Sequence, residues 1–185
     1  MTDEVALGAV PSHTPEYPTL SELVADVHEM LRAAQETVAV AESLTGGLVS
    51  AALTEVAGSS TVFRGGVVAY ATDLKLSLVG VDAELLATRG AVDPAVAEGL
   101  ANGVRQRLGS DWGIGITGVA GPEPQDGKPV GTVFIAISGP GYELAPETVA
   151  QLELIGDRNR IRTQAVIETV GLLREAILRR DSERG

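Results

Sequence analysis

The chain has 185 residues, 44% of them hydrophobic, which argues against disorder throughout and fits one compact domain. Its formal net charge of −11 argues against a nucleic-acid partner, and the lack of cysteine excludes disulfides, thiolate zinc sites and a cysteine nucleophile. No apolar run approaches the ~20 residues of a membrane span and the N-terminus lacks the pattern of a signal peptide, so we expect a cytoplasmic protein without a membrane partner.

Helices and strands are predicted to alternate along the chain after an N-terminal tail. Residues 1–18 contain Pro11, Pro15 and Pro18 with little apolar periodicity, so we predict a flexible tail there and a single domain over residues 19–185. The spacing of apolar residues predicts helices at 20–34, 48–56, 73–78, 83–88, 94–108 and 157–179. Strands are predicted at 37–41, 62–70, 112–117, 131–138 and 147–155.

The order of these elements predicts an α/β fold, a three-layer α/β/α sandwich around a mixed sheet of about five strands. Aromatic residues make up only 3% of the chain, so the core must be built from Val, Leu, Ile and Ala, as in sheets buried on both faces. The last two strands are expected to be antiparallel neighbours across Gly139-Pro140-Gly141, because hairpin-linked strands cannot all be parallel.

The junction after the first strand is the strongest candidate site. Ser43 and Thr45 precede Gly46 and Gly47, just where a helix begins. A helix start leaves backbone N–H groups without intrahelical partners and carries the positive end of the helix dipole, so it favours anions and developing oxyanions. Ser43 is therefore a candidate nucleophile beside oxyanion-binding N–H groups. Taken alone, the segment favours the simpler alternative, that Ser43 or Thr45 caps the helix.

Neither histidine is suitably placed to act as the general base for Ser43. His13 lies in the predicted tail and His28 lies beside the apolar stripe of the first helix, which argues against a Ser-His-Asp triad. The chain also lacks a helical H-E-x-x-H motif or any cluster of histidines, which argues against a catalytic zinc ion.

Lysine is the substitute base, and the chain contains only Lys75 and Lys128. Lys75 closely follows Tyr70 at the end of the second predicted strand, so two polar side chains arrive together. A lysine that acts as a base near neutral pH needs a pKa well below its ordinary ~10.4, through burial or a neighbouring cation. The alternative is a solvated surface lysine beside a tyrosine that packs at the sheet edge.

Two further segments are candidate binding sites. Gly113, Gly115 and Gly118 match the G-x-G-x-x-G pattern, but they lie inside a strand that leads into a proline-containing loop, so we reject a dinucleotide site and predict a loop that lines a site or merely connects elements. Arg158 and Arg162, four apart at the start of the last helix, suit a phosphate cradle or a solvated basic face.

Taken together, the motifs of the chain resemble those of the CinA C-terminal domain family over about residues 20–180. The motifs that carry the resemblance are Ala-Glu-Ser43-Leu-Thr45-Gly46-Gly47, Gly58-Ser59-Ser60, Gly66-Val-Val-Ala-Tyr70 with Lys75, Gly90-Ala-Val, Ile116-Thr117-Gly118-Val-Ala-Gly121-Pro122, Lys128-Pro-Val-Gly131-Thr and Gly156-Asp157-Arg158 with Arg162. The resemblance implies an anticodon-binding-domain-like fold and nicotinamide-nucleotide amidase activity, which hydrolyses nicotinamide mononucleotide to nicotinic acid mononucleotide and ammonia in pyridine-nucleotide recycling.

The family's pattern also implies roles for particular residues. Ser43 would be the nucleophile, Lys75 its general base and Tyr70 a partner that orients or relays the proton. The residues implied to bind the nucleotide are Thr45, Gly46, Gly47, Thr117, Gly118, Arg158 and Arg162, with Arg158 meeting the phosphate. The resemblance implies no metal and no cofactor, a small nucleotide substrate and a homo-oligomer.

Two departures from the family's pattern leave the substrate range open. The loop at 122–127 is less glycine-rich than in relatives, and the 1–18 segment stands where full-length members carry a larger N-terminal domain. Two alternatives therefore remain: a noncatalytic domain that binds a nucleotide or regulates a partner, and an amidase for another phosphorylated amide.

Overall fold

A mixed sheet with helices on both faces forms the part of the chain that the computed structural model describes, residues 19–140 and 149–184. The strands are β1 (Val38–Glu42), β2 (Phe63–Val68), β3 (Trp112–Gly118), β4 (Thr132–Ser138) and β5 (Val149–Glu153). The helices are α1 (Leu20–Ala34), α2 (Leu48–Thr54), α3 (Thr72–Val79), α4 (Ala83–Arg89), α5 (Pro94–Leu108) and α6 (Arg158–Arg184). The predicted tail at 1–18 lies outside the described residues.

The strand order is β2-β1-β3-β4-β5, which confirms the predicted mixed five-stranded sheet. Strand β1 runs parallel to β2 and β3, whereas β4 runs antiparallel to β3 and β5, as predicted for the last two strands. The carboxyl ends of β1, β2, β3 and β5 therefore meet at one edge of the sheet, where ligand sites of open α/β sheets form.

The three inner strands, β1, β3 and β4, are buried on both faces because helices cover each side. Val38 and Val40 of β1 pack in the cluster formed with α1, α2 and α6, while Ala39 and Ala41 pack in the cluster formed with α5 and with Val79 of α3. This alternation follows from the two-residue period of a strand, and it explains why β1 reads as an uninterrupted apolar run.

The first two glycines of the G-x-G-x-x-G pattern allow α5 to lie close to β3. A Cβ atom at Gly113 would collide with the Ala101 carbonyl, and one at Gly115 would collide with the Ala97 carbonyl. The spacing of these glycines thus serves helix-on-strand packing, and no helix opens directly after them.

Helix α6 continues to Arg184, beyond the predicted end at 179, because a buried side chain secures its last turns. Arg180 is bonded to Glu36 and Asp181, and its guanidinium lies 5.3 Å from the centre of the Trp112 ring. These contacts join the end of α6 to the residues before β1 and to the start of β3. None of the described helices is long and apolar enough to span a membrane.

Candidate active site

Ser43 lies at the carboxyl end of β1, beside the central strand of the sheet. Its N–H donates to the Ile116 carbonyl of β3 at 3.0 Å, which continues the sheet by one residue. The chain then turns sharply into α2 through Gly46 and Gly47, whose φ angles of 60° and 100° favour glycine. The nucleophile candidate is therefore held by rigid backbone on both sides.

The start of α2 is capped by a carboxylate and not by Ser43 or Thr45. Gly47 occupies the N-cap position without a side-chain hydrogen bond. Glu42, which is completely buried, accepts hydrogen bonds from three backbone N–H groups and a hydroxyl. The donors are Gly47 N at 2.9 Å, Val49 N at 3.1 Å, Ser50 N at 2.8 Å and Ser50 Oγ at 2.7 Å.

Glu42 is not among the site residues predicted from the sequence. A signal was present, because an acidic residue at the end of a buried apolar strand and just before a helix start suits the positive end of that helix.

Lys75 contacts the hydroxyl of Ser43 from a different element of the fold. Helix α3 carries Lys75, which is only 1% exposed. Its Nζ lies 3.1 Å from Ser43 Oγ, 2.9 Å from the Ala69 carbonyl oxygen and 3.2 Å from the Tyr70 carbonyl oxygen. The structure thus brings the two residues predicted as nucleophile and base into hydrogen-bond contact.

Burial lowers the pKa of Lys75 below the ordinary lysine value, and the carboxylates of Asp126 and Asp73 partly oppose that effect. The lowering therefore comes from desolvation and not from the arginines at the start of α6. Lys128, the other lysine, is partly exposed, with Nζ 5.9 Å from the centre of the Phe134 ring.

Tyr70 contributes two separate groups to the site. Its backbone carbonyl accepts from Lys75, while its side chain, 56% exposed, reaches across the cleft to α6. The Tyr70 hydroxyl accepts a hydrogen bond from Arg158 Nη2 at 2.8 Å, and Arg158 Nη1 donates to the Gly121 carbonyl at 2.7 Å. Arg158 therefore joins two walls of the cleft while its guanidinium stays exposed.

Arg162 has a different environment from Arg158, although both lie at the start of α6. Its Nε donates to the Leu44 carbonyl at 3.0 Å and its Nη2 donates to the Thr45 carbonyl at 2.8 Å. The Arg162 side chain is thus committed to the turn that follows Ser43.

Thr117 and Asp126 fix the segment between α4 and α5 against the site. The Thr117 hydroxyl donates to the Ala91 carbonyl at 2.6 Å. Asp126 Oδ2 accepts from the N–H groups of Ala91 and Val92 at 2.7 and 3.1 Å. The loop at 119–131 is thereby attached to the residues that precede α5.

A cleft lies over Ser43 at the carboxyl edge of the sheet. It is lined by Ser43, Leu44, Tyr70, Ala91, Val92, Thr117, Gly118, Val119, Ala120, Gly121, Glu123, Gln125 and Arg158. Of the residues predicted to bind substrate, Thr117, Gly118 and Arg158 line this cleft, whereas Thr45, Gly46, Gly47 and Arg162 form or hold the turn beside it. Within residues 19–140 and 149–184, no three His, Asp or Glu side chains are grouped as a metal site would need.

Comparison with known proteins places these features in a family. Residues 20–177 match the model of the CinA C-terminal domain. The CinA-like protein of Frankia casuarinae is 50% identical over 141 residues, which cover 76% of this chain and 32% of that protein. The CinA-like protein of Anaeromyxobacter dehalogenans is 51% identical over 150 residues, covering 80% of this chain and 35% of that protein. The chain therefore spans about a third of the length of these curated relatives.

Solved structures show the same fold. The CinA superfamily protein of Klebsiella pneumoniae 700603 is 32% identical with a TM-score of 0.81, and the match covers 88% of this chain and 99% of that one. The competence/damage inducible protein CihA of Agrobacterium tumefaciens is 33% identical with a TM-score of 0.80, over 87% of this chain and 97% of that one. The mixed five-stranded sheet with helices on both sides is thus the architecture of this superfamily.

Proposed function

Because the chain belongs to the CinA C-terminal domain family, we propose that it is a serine amidase that hydrolyses nicotinamide mononucleotide to nicotinic acid mononucleotide and ammonia. The observation that carries the amidase chemistry is the 3.1 Å contact between Ser43 Oγ and the buried Nζ of Lys75. The choice of nicotinamide mononucleotide as substrate rests on the family resemblance.

The surroundings of Lys75 suit a neutral amine that acts as a base. A neutral amine has two N–H donors and one lone pair, and Nζ has two carbonyl neighbours and one hydroxyl neighbour. When the neutral amine donates its two N–H groups to the Ala69 and Tyr70 carbonyls, its lone pair is directed at Ser43. The Ser43 hydroxyl then donates its hydrogen bond to that lone pair. Burial favours this neutral form because it disfavours the charged ammonium.

The proposed reaction passes through an acyl-enzyme. Ser43 Oγ adds to the carboxamide carbon while its proton moves to Lys75 Nζ, which gives a tetrahedral intermediate. The C–N bond then breaks, the Lys75 ammonium protonates the departing nitrogen, and ammonia leaves behind an ester on Ser43. Water adds to the ester carbon and gives its proton to Lys75, and breakage of the C–Oγ bond returns the proton to Ser43 and releases the acid.

Arg158 is the proposed ligand for the substrate's phosphate. It is the only cation among the described residues that line the cleft, and its exposed guanidinium retains donors beyond those bonded to Tyr70 and Gly121. Thr117 and Gly118 are the proposed walls of the nucleotide site, and Thr45, Gly46 and Gly47 give the turn after Ser43 its shape.

A substrate panel tests this proposal against the two alternatives. Ammonia release is measured with nicotinamide mononucleotide, with nicotinamide riboside, which lacks the phosphate, and with other phosphorylated amides. Preference for the mononucleotide supports the proposal, and preference for another phosphorylated amide replaces its substrate. Binding of the mononucleotide by calorimetry, with no release from any amide, supports the noncatalytic alternative instead.

Oligomeric state and location are proposed on a different basis. The family resemblance suggests a homo-oligomer, which light scattering on a size-exclusion column measures directly. A cytoplasmic location is proposed because a chain without cysteine suits a reducing compartment.

A further inference from the structure

Arg162 sets the direction of two peptide groups in the turn after Ser43. Its guanidinium bonds the carbonyls of the consecutive residues Leu44 and Thr45 at 3.0 and 2.8 Å. Because a guanidinium is planar and rigid, two bonds from one side chain fix both carbonyls at once. This restraint comes from α6, which is distant in sequence and held in place by its own buried face.

The direction of a carbonyl also fixes the N–H group that follows it. A trans peptide is planar, and its C=O and N–H groups point in opposite directions. The Leu44 carbonyl faces Arg162, so the Thr45 N–H points away from Arg162. The Ser43 carbonyl accepts from the Gly46 N–H at 3.1 Å, so the Leu44 N–H points away from that contact.

The N–H groups of Leu44 and Thr45 are the two in this turn that have no acceptor among the described residues. The other three are bonded, from Ser43 to the Ile116 carbonyl, from Gly46 to the Ser43 carbonyl and from Gly47 to the Glu42 carboxylate. Neither Leu44 N nor Thr45 N has an acceptor in the part of the chain that the structure describes, although these residues are only 4% and 0% exposed. A buried N–H group without a protein partner is rare, and at Leu44, which lines the cleft, it points to a bound group that completes it. Thr45 does not line the cleft and has no exposed surface for such a group.

The Leu44 donor immediately follows the nucleophile candidate on a strand-to-helix turn, and both Ser43 and Leu44 line the cleft. In serine hydrolases with such a turn, the N–H of the residue after the nucleophile contributes to the oxyanion hole. We infer that the N–H group of Leu44 binds the oxyanion of the tetrahedral intermediate, and that Arg162 is a positioning residue which holds the turn that carries this donor.

The inference rests on the proposed amidase function and gives it a source of transition-state stabilisation. As Ser43 Oγ adds to the carboxamide carbon, the C=O double bond becomes a single bond and its oxygen takes the negative charge. Arg162 acts on the Leu44 donor through a second peptide unit. The Thr45 carbonyl that Arg162 bonds shares a peptide unit with the Gly46 N–H, and that N–H donates to the Ser43 carbonyl, which shares a peptide unit with the Leu44 N–H. Loss of one oxyanion donor in a serine hydrolase typically lowers kcat by about 10²–10³-fold.

The test compares Arg162→Met with Arg162→Lys and with the control Arg160→Met. Methionine keeps much of the Arg162 stem but removes both carbonyl bonds, whereas lysine keeps one cationic donor. Arg160 is exposed on the same turn of α6, so its replacement makes the same change in charge at a position without side-chain hydrogen bonds in the described structure. Each variant is assayed with nicotinamide mononucleotide and nicotinamide riboside, and its fold is checked by circular dichroism.

The inference predicts that Arg162→Met lowers kcat by about 10²-fold for both substrates, with KM changed less than about threefold. Arg162→Lys should recover part of kcat, and Arg160→Met should match the wild type. A variant that raises KM for the mononucleotide alone and keeps kcat would make Arg162 a phosphate ligand and overturn the inference, while the amidase function stands. If Arg162→Met does not fold, Arg162→Lys decides by the same comparison of kcat and KM. A folded wild type that releases no ammonia from any amide in the panel would overturn both this inference and the proposed amidase function.

Discussion

Lys75 Nζ lies 3.1 Å from Ser43 Oγ, although the two residues are 32 positions apart in the sequence. Two short elements bring them together: β1 ends one residue before the serine, and α3 begins three residues before the lysine. The nucleophile candidate is exposed to a cleft, while the amine beside it is buried. A hydroxyl that is open to substrate and a base that is closed to solvent are what acyl transfer by a serine-lysine pair requires.

Activity should depend on pH through the lowered pKa of Lys75. The base is active as the neutral amine, so kcat/KM should rise with pH as Lys75 deprotonates, with the midpoint below the ordinary lysine pKa because burial disfavours the charged form. A profile of kcat/KM against pH measures this rise, which is the acidic limb of the profile. A limb at the ordinary lysine value would mean that burial does not tune this base.

Asp126→Asn should move that limb to lower pH. The Asp126 carboxylate raises the pKa of Lys75, so removal of its charge lowers that pKa further, and the neutral amine then forms at lower pH. Asparagine keeps an acceptor oxygen for the N–H groups of Ala91 and Val92. Asp73→Asn is the matched comparison and should shift the limb in the same direction. Shifts toward higher pH in both variants would contradict this electrostatic account.

Tyr70→Phe should show whether the Tyr70 hydroxyl positions the phosphate ligand Arg158 or relays the proton. The variant keeps the backbone carbonyl that bonds Lys75 and loses the hydroxyl that holds Arg158. If the hydroxyl positions the phosphate ligand, KM for nicotinamide mononucleotide should rise about three- to tenfold with kcat retained. Steady-state kinetics makes the distinction, because loss of kcat at constant KM would instead show that the hydroxyl relays the proton.

Glu42→Gln should weaken the fold at the start of α2. The carboxylate accepts four hydrogen bonds through two oxygens, whereas a glutamine offers one acceptor oxygen and places an NH₂ group against donors. We expect the free energy of unfolding to fall by about 2–3 kcal/mol, as measured by urea denaturation. Unchanged stability would show that the buried carboxylate is not needed to cap this helix.

His28 should make stability depend on pH. The residue is 1% exposed, neither ring nitrogen has a hydrogen bond of normal geometry within the described residues, and burial lowers the pKa of the ring, while the nearby Leu53 backbone partly opposes that effect. The unfolded chain therefore binds the proton more readily than the folded one, so stability should fall as pH decreases below about 6.5, until the folded state also becomes protonated.

His28→Leu should remove this dependence and raise the free energy of unfolding at pH 7 by about 1 kcal/mol, since it removes two buried polar atoms that lack hydrogen bonds of normal geometry within the described residues. His13→Leu is the control, because His13 is the other histidine and lies in the predicted tail, outside the described residues. Unfolding free energies at several pH values provide the measurement. If the dependence disappeared only with His13→Leu, the assignment to His28 would be wrong.

The fold was predictable from sequence because its signals are local. Helix α5 shows this well: it has the predicted bounds, 94–108, because Asp93 caps it, Pro94 begins it and Gly109 ends it in a left-handed conformation. The order of the strands was not predictable, because the position of β1 between β2 and β3 depends on packing between distant segments. The last turns of α6 were missed for the same reason, since their partners Glu36 and Trp112 are far away in sequence.

The site was predictable only in part. Ser43 and Lys75 could be paired because the chain has just two lysines and few other bases. The partners of Arg158 and Arg162 could not be predicted, because a spacing of four places both on one helix face without saying which neighbour each guanidinium meets. The role of Glu42 depends on the turn at Gly46 and Gly47, which folds the start of α2 back onto the preceding strand residue.

The most direct test of the serine-lysine account is ammonia release from nicotinamide mononucleotide by the wild type and by Ser43→Ala, Lys75→Met and the control Lys128→Met. The account predicts that Lys128→Met matches the wild type, whereas each of the other two variants loses at least about 10⁴-fold in kcat while remaining folded. Turnover at the wild-type rate in folded Ser43→Ala or Lys75→Met would contradict the account.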